Sequence, residues 1–150
     1  MHISTQPKVG AIALEPLRVA LLSLPQVGCP LVHRFTPGLY IREIFMPKGT
    51  LVVSKIHKTE HPFVVSKGRV SVWTADAGVV HLQAPHCGIT KPGTRRLLYM
   101  HEDVVWTTFH PTQETDVEKI EAMIIQPPGE LQLPAPSREE LALMAQGAEA

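Results

Sequence analysis

The sequence predicts an all-β domain, a sandwich or small barrel of short antiparallel strands, and three observations carry that reading. Seven short β-rich runs follow one another from Leu39 to His110, separated by turn residues, at the spacing of roughly 8–12 residues typical of such folds. Proline is abundant, 14 of 150 residues, against a usual share of roughly 5%; proline stops helices and caps strands, so long helices are excluded. A 16.5 kDa chain that is 44% apolar has the size and composition of one domain around one core.

The elements follow from the punctuation. Residues 39–46 end at Pro47, Lys48 and Gly49, and 50–57 are rich in β-branched residues. Residues 61–67 stop at Gly68, and 69–74 stop at Asp76, Ala77 and Gly78. Residues 79–82 precede a proline- and glycine-containing stretch, 85–93, that reads as a loop; 95–100 and 104–110 complete the set. Helix is expected only after Pro111. Thr115 with Glu118 reads as a capping box before an apolar stripe of Val117, Ile120, Met123 and Ile124, and Ser137 with Glu140 reads as a second, opening a short helix with Leu141, Met144 and Ala145 on one side. The organisation is therefore an N-terminal arm (1–38), a β core (39–111), a helix (112–126) and an extended C-terminal arm ending in a short helix (127–150).

Charge and composition remove several function classes. Fourteen basic side chains against 14 acidic ones and a pI of about 7.1 leave no basic excess to displace counterions from phosphates, so no nucleic-acid partner is expected. The apolar run 11–24 is interrupted by Glu15, Pro16 and Arg18, too short and too broken for the roughly 20 clean residues of a membrane span. No membrane partner is expected. Cys29 and Cys87 lack metal or redox spacing and read as reduced thiols of a cytoplasmic chain. Leu131, Leu133, Leu141, Leu143 and Met144 make the C-terminal arm apolar, which points to a homo-oligomer joined through its arms.

The chemistry concentrates between Gly49 and Gly68. Gly49, Lys55, His57, His61 and Gly68 occupy the slots of G-x(5)-H-x-H-x(3,4)-E-x(6)-G, and the stretch resembles the first motif of the cupins. Lys55 stands in the first histidine slot and His61 in the glutamate slot, with Glu60 beside it. The second cupin motif is reduced to the turn at Gly93, with Arg96 in its histidine slot and Met100 in its asparagine slot. The resemblance implies a single jelly-roll barrel. Within such a barrel, pairing 61–67 with 104–110 sets His110 beside His61, and alternation places His61, Phe63 and Val65 on one face and Trp106, Thr108 and His110 on another. If both faces point inward, His57, His61 and His110 converge near the barrel mouth. Such a set suits zinc, iron, nickel or copper rather than calcium or magnesium. Arg96, Lys55 and Glu60 are candidates for the pocket wall or an anion site; an inward Arg96 would oppose a metal by charge. Trp73 and Trp106 read as core, and His2, His33, His81, His86 and His101 as surface or turn residues.

The string from His57 to Trp73, with the segments at Lys91 and Val105, is also similar to small cupins of tailed bacteriophages and prophages. Two functions fit. One is an assembly module without catalysis, or with a degenerate site, that self-associates through its arms, which the phage resemblance implies is a particle component alongside other particle proteins in a virion; it ranks first because the motif glutamate and second histidine are replaced. The other is a metal-dependent enzyme, an oxygenase, isomerase or lyase, acting on a small polar substrate.

Overall fold

The computed structural model describes residues 29–127 and 136–146. Among the described residues, nine strands form two antiparallel sheets: β1 (Leu31–Thr36), β2 (Leu39–Met46), β3 (Leu51–Val53), β4 (His61–Lys67), β5 (Arg69–Thr74), β6 (Gly78–Gln83), β7 (His86–Thr90), β8 (Leu97–Met100) and β9 (Val104–Pro111). One sheet has the order β1-β2-β9-β4-β7 and the other β3-β8-β5-β6. Two helices follow, α1 (Val117–Ile124) and α2 (Arg138–Gln146). The expected all-β jelly roll is what forms.

Strand alternation builds the interior. Along β4, His61, Phe63 and Val65 are buried while Pro62 and Val64 are half-exposed; along β9, Val104, Trp106, Thr108 and His110 are buried in the same rhythm. Their inner faces meet Val70, Val72, Leu98 and Met100 of the opposite sheet in the main core. β5 is buried on both faces because α2 lies on its outer side, where Met144 packs with Trp73 and Leu97. α1 covers one end of the barrel, burying Ile120 and Ile124 against Tyr40.

Several expectations need correction. Leu31–Thr36, assigned to the N-terminal arm, is a strand paired residue for residue with β2; residues 1–28, including His2 and the apolar run 11–24, lie outside the described residues. The expected loop 85–93 contains β7, paired with β4 from His61↔Thr90 to Val65↔His86. The expected strand 50–57 keeps only Leu51–Val53 on the ladder. α1 is capped by Asp116, whose carboxylate accepts from the Glu118 and Lys119 amides, not by Thr115; Met123 is exposed. The second box forms as read: Ser137 Oγ accepts from the Glu140 amide at 3.0 Å and Glu140 Oε1 from the Ser137 amide at 2.9 Å. Within the C-terminal arm, Leu141 and Met144 pack on the chain's own sheet, Leu143 is exposed, and Leu131 and Leu133 lie outside the described residues. Among the described residues, no helix is long and apolar enough to cross a membrane.

Candidate functional site

Three strand or loop positions bring three imidazoles together. The β4–β9 register, Phe63↔Thr108 and Val65↔Trp106, carries His61 and His110 to adjacent places at one end of both strands, with ring centroids 4.5 Å apart. His57 arrives by another route. After β3 the chain leaves the sheet, its Ser54 amide bonding the Arg96 carbonyl, and runs toward the exit of α1. There the Gln126 amide bonds the Ile56 carbonyl, the Lys58 amide bonds the Ile124 carbonyl, and His57 forms a bridge with Ile125. The His57 ring stands 4.5 Å from His61 and 5.6 Å from His110. Each residue offers a ring nitrogen within 4.8 Å of the other two.

Hydrogen bonding sets the rings up as acceptors. His61 Nδ1–H donates to the Thr59 carbonyl at 3.0 Å, which leaves its Nε2 lone pair uncommitted. His110 Nε2 is bonded to the Thr108 hydroxyl at 2.9 Å, and its Nδ1 is buried with no partner. His57 Nε2 is likewise buried and unpartnered. Burial holds the rings neutral. It is the main cause lowering His57 to about 3, helped by His61, His110, Arg42 and Arg96, and lowering His110 to about 3, helped by His61 and Arg42. His61 is lowered by burial and by Arg96, against the raising effect of the Thr59 carbonyl. Three neutral imidazoles, two of them with an orphaned buried nitrogen, fit one divalent transition metal, and the absence of a carboxylate among them disfavours calcium or magnesium.

A cavity of about 210 Å³ opens beside the triad. Its walls are largely apolar, from Ile44, Met46, Val52, Leu98 and Trp106, with His57, His61, Thr90 and Thr108 as neutral polar groups and Arg42, Lys55 and Arg96 as cations. Arg96 does point inward, as its motif slot implies. Its guanidinium carbon lies 5.0 Å above the Phe63 ring centroid and 5.5 Å from that of Trp106, whose rings stack on each other. Lys55 is exposed on the cavity rim, and Glu60 is exposed and not part of the wall.

Sequence reasoning missed Arg42, which follows Tyr40 by two on β2 and so shares its inward face; it is anchored by Glu121 of α1 at 3.0 Å. His101, expected at a turn, is buried and bonded through Nε2 to Ser71 Oγ at 2.7 Å, while His81 meets the same hydroxyl at 2.8 Å. His81 faces Ser71 across the β5–β6 register, and His101 directly follows β8, where its amide bonds the Arg69 carbonyl of β5. Cys29 and Cys87 are free thiols, the latter exposed, and Trp73 and Trp106 are core residues as expected.

The fold and this inward constellation define a jelly roll of two antiparallel sheets with a triple-histidine cluster. No family model matches the chain, and no curated protein matches it. Among solved structures, a salicylate 1,2-dioxygenase from Pseudaminobacter salicylatoxidans superposes with a TM-score of 0.53 at 12% identity, over 82% of this chain and 41% of that one. A cupin-2 domain protein from Shewanella frigidimarina gives 0.45 at 13% identity, covering 64% of this chain and 92% of that one. The cupin domain of Schizosaccharomyces pombe Cnp3 gives 0.47 at 18% identity, covering 68% and 71%. At these identities the likeness concerns the fold alone.

Proposed function

We propose that this chain is a metal-binding cupin in which His57, His61 and His110 hold one zinc, iron, nickel or copper ion beside a small-molecule cavity. One observation carries the reading: two buried ring nitrogens, on His57 and His110, have no hydrogen-bond partner. A buried polar atom left unpaired costs about 1–3 kcal/mol, and a shared cation would satisfy both together with His61. When bound, the ion supplies Lewis-acid polarisation of a ligand oxygen. The chain does the rest. Thr59 orients His61, Thr108 orients His110, the α1 exit places His57, and Trp106 and Leu98 supply apolar wall to the cavity. An enzyme of the oxygenase, isomerase or lyase kind is the matching activity.

Calorimetric titration of zinc and nickel into the untagged, metal-stripped chain tests this. One-to-one binding is expected, weakened at least about tenfold in His57→Ala and His110→Ala, as loss of a ligand should do. Wild-type protein that binds neither ion, or variants that bind equally well, would overturn it.

The assembly reading is favoured by a different observation. Among the described residues β1 is an edge strand, and its Leu31, Val32 and Phe35 are 38%, 40% and 38% exposed, the kind of edge that pairs with another chain. Self-association, into a homo-oligomer or a phage particle, would then run through this N-terminal edge rather than through the docked α2. Light scattering should show a mass that falls in Phe35→Lys; a monomer in both removes the reading.

A further inference from the structure

Building on the metal reading, we propose that the cavity receives a small organic carboxylate, with Arg96 taking its charge, Thr90 donating a hydrogen bond, and Ile44, Met46 and Leu98 holding its apolar body. The argument starts from charge. No aspartate or glutamate lines the cavity, whereas Arg42, Lys55 and Arg96 do. Arg42 is neutralised by Glu121 and Lys55 is exposed to water. Arg96 differs from both: among the described residues its guanidinium has ring contacts with Phe63 and Trp106 and no ion pair. A guanidinium stays charged and offers a fork of donors matched to a carboxylate, and half-buried Arg96 loses hydration with no counter-charge to offset it. Burial already disfavours its charged form.

A second, independent group points to the same ligand. Thr90, on β7 opposite His61, lines the cavity and is 1% exposed, yet its hydroxyl has no hydrogen-bond partner. The unpartnered hydroxyl and the guanidinium without an ion pair therefore line one small, mostly apolar space. Position adds a consequence for the metal. Phe63 lies one pleat repeat from His61 on the same face of β4, roughly 7 Å along the strand, so Arg96 over Phe63 sits one side-chain layer from the histidines. Two positive centres that close, with no wall carboxylate between them, repel. An anion placed between them reverses that, so carboxylate and metal should bind cooperatively.

The test uses acetate, butyrate and benzoate, each against its uncharged amide, with inorganic phosphate as a further probe, titrated calorimetrically into metal-stripped and zinc-loaded full-length protein. Carboxylates should bind about tenfold or more tighter than their amides, and zinc should tighten them further. Arg96→Met should abolish the preference, Arg96→Lys should retain part of it, and the near-isosteric Thr90→Val should weaken carboxylates several-fold without touching amides. Equal affinity for acids and amides, a preference for phosphate, or an unchanged preference in a folded Arg96→Met overturns the proposal. A stripped protein that selects carboxylates but never takes up zinc sinks the metal reading and leaves this one standing; zinc uptake without carboxylate preference does the reverse.

Discussion

Acidification should destabilise the metal-free protein steeply, and the triad supplies the magnitude. His57 and His110 fall from 6.5 in the unfolded chain to about 3 in the folded one. Between these values the unfolded chain binds protons that the folded one refuses, so the stability these rings contribute is complete above about pH 6.5 and is lost as the pH falls toward 3. Each ring costs about 1.4 kcal/mol per pH unit in that window. Going from pH 7 to pH 5 therefore removes about 2 kcal/mol per histidine, or about 4 kcal/mol for the two. Repulsion from neighbouring charges is already part of each lowered value. His61, lowered by the same burial, adds in the same direction. Against a total of about 5–15 kcal/mol for an ordinary domain, that loss is large. Urea unfolding at both pH values in the presence of chelator measures it, and His57→Gln with His110→Gln provides the internal reference. Each substitution should remove about 2 kcal/mol of the pH-dependent loss, whatever it does to stability at pH 7. A double variant that loses as much as wild type would show that these rings are not buried neutral.

Two further predictions concern the scaffold. Gly68 has φ +92°, and a Cβ there would run into the Asp103 carbonyl oxygen, whereas Gly49, at φ +82°, has nothing within 4 Å; Gly68→Ala should cost about 3 kcal/mol or more and Gly49→Ala only about 1 kcal/mol, read from urea midpoints at constant m. Similar costs at the two sites would contradict the contact. Ser137→Ala removes the reciprocal cap of α2 and should cost about 1 kcal/mol, with faster tryptic cleavage after Arg138; unchanged cleavage would show that Met144 packing on Trp73 and Leu97 holds α2 without its cap.

The strands that alternate cleanly are legible from burial of every second residue on β4 and β9, whereas the pairing that joins His61 to His110 follows from the motif resemblance and the structure forms it. What escaped depends on partners distant in sequence. Gly88 reads as a loop breaker, yet β7 runs through it; a Cβ there would lie 2.7 Å from the Phe63 ring, so the glycine answers to packing across the sheet. β1 is mostly exposed and has little alternation to announce it. The run 50–57 has strand composition throughout, but its second half leaves the ladder to meet the α1 exit, which no local pattern encodes. His57 was named from its motif slot alone; Arg96 was named from its slot too, while its seat over Phe63 and Trp106 and the unmet hydroxyl of Thr90 required the assembled barrel.

The central claim, that three imidazoles of one chain share one ion, is tested most directly by X-ray absorption at the metal edge of the zinc-loaded, untagged protein. Three imidazole nitrogens per zinc at about 2.0–2.1 Å are expected, falling to two in His110→Ala. A sphere with one imidazole or none, or with sulfur from Cys29 or Cys87, would place the ion elsewhere and contradict the account.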